Sequence, residues 1–388
     1  MNILFLVESY YPKLSGVPVV VRYLAEGLQD HGHCVSVATR AVKGCPDEER
    51  INNVHVYRFD IWKTVLKSYA GDISEYKHFV LSFEADVVIF ECSECVTTDV
   101  LLDDLDYIKG KKIFHSHGFQ GLTLKPFKWN INLKYTLGNT YNWLRFQWYY
   151  KYMFKKAIGK FDEALCLSLI DSSKSWLDKY AKHVTVLQNA VDDIFCEPTR
   201  SIEYPLIQAL DKPYLLSVAT YSKQKNQIGI VREFFKVRTN AALVFIGPQV
   251  TEYYEMLQRE VLKLSSQYGP RDVLLLYGVS RKMIPDIIGH ASLYLVGSLF
   301  EEYSISLIEA MCKGVPFIST NVGNARILPG GVTVSNISDM HYEIDRLMTD
   351  SKSRSLLGSR GVEFVKTYCK REKAVGLLET IIENVVKV

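Results

Sequence analysis

The stretch 298-SLFEEYSISLIEAMCKGV-315 decides how the rest of the chain is read. It follows a short apolar run, Leu293–Val296, that has the look of a buried strand. A loop with Glu301 and Glu302 comes next, and a helix begins near Ser304. Ile305, Leu307, Ile308 and Met311 supply that helix with an apolar face, and Glu309 sits among them. Glu301 and Glu309 are a little over two helical turns apart, so one belongs to the loop and the other to the helix. A carboxylate on a mostly apolar helix is costly unless a partner satisfies it. A salt bridge or a cap contact is one such partner, and a ligand is the other.

Outward from this stretch, strands and helices alternate. On the amino-terminal side, Ile3–Val7, Cys34–Thr39, Val54–Arg58, Val87–Glu91, Lys112–His115, Glu163–Leu167 and Val184–Leu187 read as strands. Helical patterns fall between them at Val17–Asp30, Asp72–Phe83, Asp99–Ile108, Tyr141–Ala157 and Asp171–Tyr180. The pattern breaks after Asn189, where Pro198, Pro205 and mixed charge mark a linker at 193–212. A second alternation starts at Tyr214–Val218 and runs through Leu243–Ile246, Val273–Leu276, Leu293–Val296 and Pro316–Ser319. Two helices, broken near Tyr368–Lys370, close the chain. The expectation is an α/β protein of two facing doubly wound, Rossmann-like domains, 1–192 and 213–369, with a cleft between them.

Composition agrees with two ordinary cores. A chain of 388 residues exceeds what one core serves. A 48% hydrophobic and 23% charged content is that of a globular protein, and a net charge of +3 leaves no nucleic-acid footprint. No apolar run reaches the roughly 20 residues of a membrane span. The start, MNILFLVESYYP, meets Glu8 too early for a signal peptide and reads as a strand. The eight cysteines are scattered in apolar runs, which suits reduced thiols in a cytoplasmic protein. Cys92 and Cys95 form a CxxC with no second pair at zinc spacing.

The residues that carry chemistry collect just past strand ends. Gly16 ends the first loop and opens a helix, a place where backbone amides meet phosphate. His117 follows the strand Lys112–His115. Lys225 follows Tyr214–Val218 at a helix start and is a point charge for phosphate. Glu301 and Glu309 follow Leu293–Val296, and Gly323 follows Pro316–Ser319. In doubly wound sheets, ligands bind outside these carboxyl ends.

The order and spacing resemble glycosyltransferase family four, retaining enzymes of the GT-B architecture. The resemblance is carried by Glu301, Glu309, Ala310-Met311 and Gly314-Val315-Pro316, by VLQNAVDDIF at Val186–Phe195, by Lys225–Gln227, and by the first loop, helix and strand from Ser15. It implies that Glu309 holds the ribose hydroxyls of a nucleotide, that Glu301 contacts the donor sugar, and that the amides of Tyr303 and Ser304 meet sugar or phosphate. It implies that Lys225 binds the diphosphate, Gly16 and Gly323 line the donor site, and His117 stands near the sugar. Catalytic roles thus fall to His117, Glu301 and Lys225. It also implies that the last helix, 370–388, crosses back onto the first domain. Two positions depart from the family: Val17 replaces a second glycine, and Thr220 replaces a diphosphate-binding arginine.

The implied reaction moves a sugar from a nucleotide-diphosphate donor to a glycan or lipid-linked acceptor, as in surface polysaccharide assembly. No Asp-rich motif is present, so no metal cofactor is expected. Lys125–Lys160 has no acidic residue and interleaves lysines with Trp and Tyr, which suits an anionic membrane surface and peripheral attachment on the inner face of the membrane. A core helix with a solvated basic face has the same composition. A sugar-nucleotide epimerase or hydrolase of the same fold, and a non-catalytic partner subunit, are the alternative readings.

Overall fold

The computed structural model describes residues 1–12, 16–64, 68–123 and 133–387. The chain divides into two units, one of Met1–Asn189 with Arg371–Val388, the other of Ala190–Lys370.

In the first unit the strands are β1 (Asn2–Leu6), β2 (Cys34–Arg40), β3 (Glu48–Ile51), β4 (Val54–Phe59), β5 (Ile61–Lys63), β6 (Tyr69–Gly71), β7 (Val87–Glu91), β8 (Lys111–His115), β9 (Glu163–Cys166) and β10 (Val184–Val186). Eight of them form a sheet in the order β10-β9-β8-β7-β1-β2-β4-β3. It is parallel except for β3, which returns antiparallel along β4. The central strand β1 is buried on both faces, as a continuous Ile-Leu-Phe-Leu run requires. The edge strand β3 and the small β5–β6 hairpin have no apolar run to announce them and are additions to the sequence reading.

Val17–Asp30 is a helix with Pro18 in its first turn, where proline's missing N–H costs nothing. It buries Val20, Val21, Leu24, Ala25 and Leu28. The terminal helix Arg371–Lys387 packs against it through Ala374, Val375, Leu378 and Ile382. The approach is close at Gly27, where an added Cβ would lie 2.4 Å from Val375 Cγ2.

The expected helix Asp99–Ile108 is absent. One turn at Val96–Asp99 and a 3₁₀ turn at Leu105–Tyr107 stand in its place. Leu101, Leu102, Leu105 and Ile108 are buried, so the apolar spacing was real. Asp99 breaks the run because its carboxylate turns inward and accepts from the hydroxyls of Tyr69 and Tyr149 at 2.5 and 2.6 Å.

In the second unit β11 (Tyr214–Val218), β12 (Ala242–Gly247), β13 (Val273–Tyr277), β14 (Leu293–Val296), β15 (Phe317–Thr320) and β16 (Gly331–Val334) form a parallel sheet in the order β13-β12-β11-β14-β15-β16. The expected linker at 193–212 is a correction. Val191 donates its amide to Cys369 at 2.8 Å, and Phe195 and Ile207 are buried in the second core. Its prolines mark turns, but its apolar residues have a sheet to cover, so the unit begins at Ala190 and ends at Lys370.

Candidate active site

In the second unit, the chain leaves β11 toward β12 on one side of the sheet, and β14 leads to β15 on the other. β11 and β14 are neighbours, so the loops that follow them diverge at a switch point. The two loops are stapled together there. Leu299 donates its amide to the Gln224 carbonyl at 2.8 Å, and the side chains of Gln224 and Asn226 reach the carbonyls of Phe300 and Gly297 at 3.1 Å each. The staple brings Lys225 Nζ to 2.5 Å from Glu301 Oε1. Ser298 Oγ donates to the same carboxylate oxygen at 2.6 Å. Asn226 has a left-handed backbone, φ 52°, and its side chain caps the helix Gln227–Phe234 at the Gly229 amide.

Gly323 closes the site from the loop after β15. Its φ is +48°, and a Cβ there would lie 2.7 Å from the Glu301 carbonyl oxygen, so only glycine permits this approach.

Glu309 lies on the helix Ile305–Cys312 and is 4% exposed. It pairs with Arg281, which also stacks on Phe195 at 4.6 Å. Burial raises the Glu309 carboxyl above its ordinary value, and Arg281 offsets part of that rise. Arg281 escaped the sequence reading, although it too stands just past a strand end, that of β13. One expectation needs correcting. The Ser304 amide is taken by Asn324 Oδ1 at 2.8 Å, because the helix start is anchored to the loop after β15. The Tyr303 side chain packs against the second core and hydrogen-bonds Cys369, which leaves the expectation for its backbone amide as it stood.

The first unit has a switch point of its own, between β1 and β7. Gly16, φ +71°, opens the helix after β1. Beside the neighbouring Val17 is a cavity of about 440 Å³ that Glu94, His117, Phe146 and Tyr150 also line. Three residues around it, Cys92, Glu94 and His117, have positive φ although none is glycine. Such backbones cost on the order of 1–3 kcal/mol each and cluster where function demands them. Glu94 is braced there: Oε1 accepts from Tyr150 at 2.6 Å, and the amide donates to Asp99 at 3.1 Å. Tyr149 and Tyr150 arrive on a π-turn, Tyr149–Met153, that follows the helix Leu133–Trp148.

Glu91, at the end of β7, is the residue behind His117. Its Oε2 lies 2.6 Å from His117 Nε2 and 3.1 Å from His115 Nδ1. Burial alone would raise the Glu91 carboxyl; the two imidazoles outweigh it and hold it down to about 2. Burial also lowers the His117 imidazole, helped by the neighbouring His115. These three residues are the only group of this kind among the described residues whose ligand atoms, within 4.8 Å of one another, match a donor set that zinc takes. Cys95 is a core thiol, pushed up to about 12 by burial.

Residues 204–363 match the family Glycosyl transferases group 1. The chain is 22% identical over 376 residues to the phosphatidylinositol N-acetylglucosaminyltransferase GPI3 subunit of Saccharomyces cerevisiae, covering 92% of this chain and 76% of the relative. Among solved structures, sucrose-phosphate synthase from Thermosynechococcus elongatus superposes with a TM-score of 0.76 over 99% of this chain and 98% of that one, at 15% identity. Anabaena HepE in complex with UDP gives 0.70 over 99% and 100%, at 14% identity. Two Rossmann-like units of this topology are the GT-B fold, which these solved structures share. The residues that match the glycosyl transferases group 1 model, 204–363, lie within the second unit.

Proposed function

We propose that the protein is a retaining hexosyltransferase of family four that moves a sugar from a UDP-linked donor to a lipid-linked acceptor in surface polysaccharide assembly. The observation that carries the reading is the Lys225–Glu301 pair across the β11/β14 switch point. The two charges satisfy each other. A nucleotide sugar would separate them: the diphosphate takes the ammonium, and the sugar hydroxyls take the carboxylate. As the sugar leaves, negative charge grows on the diphosphate, and a cation already in place stabilises it. Glu309 would exchange Arg281 for the ribose hydroxyls. UDP is chosen because HepE was solved with it, and an N-acetylhexosamine because GPI3 is named for that sugar. The acceptor is assigned to the strained cavity at Glu94 and His117. Lys225 supplies the charge a divalent cation would bring, so no metal is needed for donor activation.

The decisive experiment is transfer from UDP-N-acetylglucosamine, with NMR of the product. The expected product keeps the donor's anomeric configuration, and Lys225→Ala lowers kcat/KM by about 10²–10³-fold, the loss typical of one charge-stabilising group. An inverted product refutes the retaining reading. The partner-subunit reading takes its support from Thr220, which leaves one diphosphate cation absent, and wild-type turnover would exclude it.

A further inference from the structure

Cys196 and Cys312 are 116 residues apart in sequence, yet their Sγ atoms lie 3.5 Å from each other. Cys196 is exposed and Cys312 half-buried. Cys196 directly follows Phe195, at the end of the 3₁₀ turn Asp193–Phe195. Cys312 ends the helix that carries Glu309. The two segments are also joined through the stack already described: Phe195, next to Cys196 in the chain, lies under Arg281, and Arg281 pairs with Glu309, on the helix that ends in Cys312. No bond joins the sulfurs, and the reaction in the donor site makes no use of them.

We propose that Cys196 and Cys312 are a peroxide-responsive modification site whose disulfide holds Arg281 on Glu309 and so weakens nucleotide binding. The geometry suits the chemistry, since two thiols in van der Waals contact need only a small shift to reach the roughly 2.05 Å of a disulfide. The Cys196 thiol is also held down to about 7 by its hydrogen bond with Cys312, so the exposed sulfur is the one that ionises. The thiolate of Cys196 takes an oxygen from hydrogen peroxide; an S–O bond forms, the O–O bond breaks, and hydroxide leaves to become water. Cys312 Sγ then attacks that sulfenic sulfur; the S–S bond forms, the S–O bond breaks, and the oxygen departs as a second water with the Cys312 proton. The two thiols lose two electrons in all, and one peroxide gains them. The covalent tie fixes the segment under Phe195 to the helix end one turn beyond Glu309. Arg281 then loses the freedom to swing away, and ribose hydroxyls meet an occupied carboxylate.

The effect on binding rests on the assignment of Glu309 to the nucleotide, whereas the cross-link does not. The test treats the full chain with hydrogen peroxide and maps a non-reduced digest by mass spectrometry. A single linked peptide pair containing Cys196 and Cys312 is expected, reversed by a thiol reductant and missing in Cys196→Ser and Cys312→Ser. In Cys312→Ser, a sulfenic-acid trap should label Cys196. Calorimetry with UDP should show Kd rising about fivefold on oxidation, the low end of ordinary coupling between sites, and returning on reduction. Peroxide should leave the UDP affinity of Cys196→Ser unchanged. A digest without the link, or a link to Cys369 instead, overturns the site. A link with unchanged Kd overturns its coupling to the nucleotide. Failure of the reduced wild type to bind UDP refutes the donor-site assignment, while the linked peptide still decides the thiol pair.

Discussion

Glu309 shows what a single buried carboxylate demands. Burial favours its neutral form, so its folded value is raised and its ionised form costs stability at neutral pH. That cost is relieved as pH falls through the raised value, and on the proposed reading nucleotide affinity falls in the same direction, because ribose hydroxyls would donate to this carboxylate. UDP affinity measured by calorimetry against pH should therefore drop on the acid side through a midpoint above the ordinary glutamate value of about 4.3. Glu309→Gln should flatten that limb, and Arg281→Ala should move its midpoint higher. A midpoint at or below the ordinary value would separate Glu309 from the nucleotide. His117 illustrates the same dependence on a neighbour: the sequence names the histidine, but the group that holds it is Glu91, one strand away.

At the scale of elements, two helices carry predictions. The contact between Val17–Asp30 and Arg371–Lys387 depends on Gly27. Gly27→Ala gains about 1 kcal/mol in helix propensity but forces a Cβ into a β-branched neighbour, a cost of about 1–3 kcal/mol. A net drop in Tm of a few degrees is expected by calorimetry, partly recovered with Val375→Ala; a rise in Tm would show that the helices part easily. The helix Leu133–Trp148 and its π-turn present Leu137, Tyr141, Leu144, Trp148 and Tyr152 to solvent, each more than half exposed and spaced to share one face. Phe154, Tyr149 and Tyr150 cover the core from the other face. Lys151, Lys155 and Lys156 stand near the stripe's end, and 133–160 holds no acidic residue. Lys125, Phe127, Lys128 and Trp129, part of the same sequence expectation, lie outside the described residues. We expect the protein to sediment with anionic vesicles, less so as salt rises, and Leu144→Ala with Trp148→Ala to release it. No sedimentation at moderate salt would leave the stripe without a membrane.

At the scale of the molecule, the proposed function gives the two units different parts of the chemistry. No helix among the described residues is long and apolar enough to cross a membrane. The second unit brings Lys225 to Glu301 and Arg281 to Glu309, and on the proposed reading Lys225 is the cation that activates the donor. Exhaustive treatment with EDTA should leave the transfer rate unchanged. A loss restored by zinc would instead assign a working metal to Glu91, His115 and His117.

Much of this was legible in the residues. Strand-helix alternation is a local property, so both Rossmann-like units and the placement of Gly16, His117, Lys225, Glu301, Glu309 and Gly323 just past strand ends follow from the sequence. Partners are not local. Lys225 meets Glu301 across 76 positions, and Arg281 meets Glu309 across 28, because the fold sets β11 against β14 and brings the loop after β13 to the helix after β14. Hydrophobic periodicity tells each strand that it is buried but not which strand lies beside it. Tertiary structure alone therefore decided which charge answers which, and it made the expected linker part of a core by giving Phe195 and Ile207 something to cover.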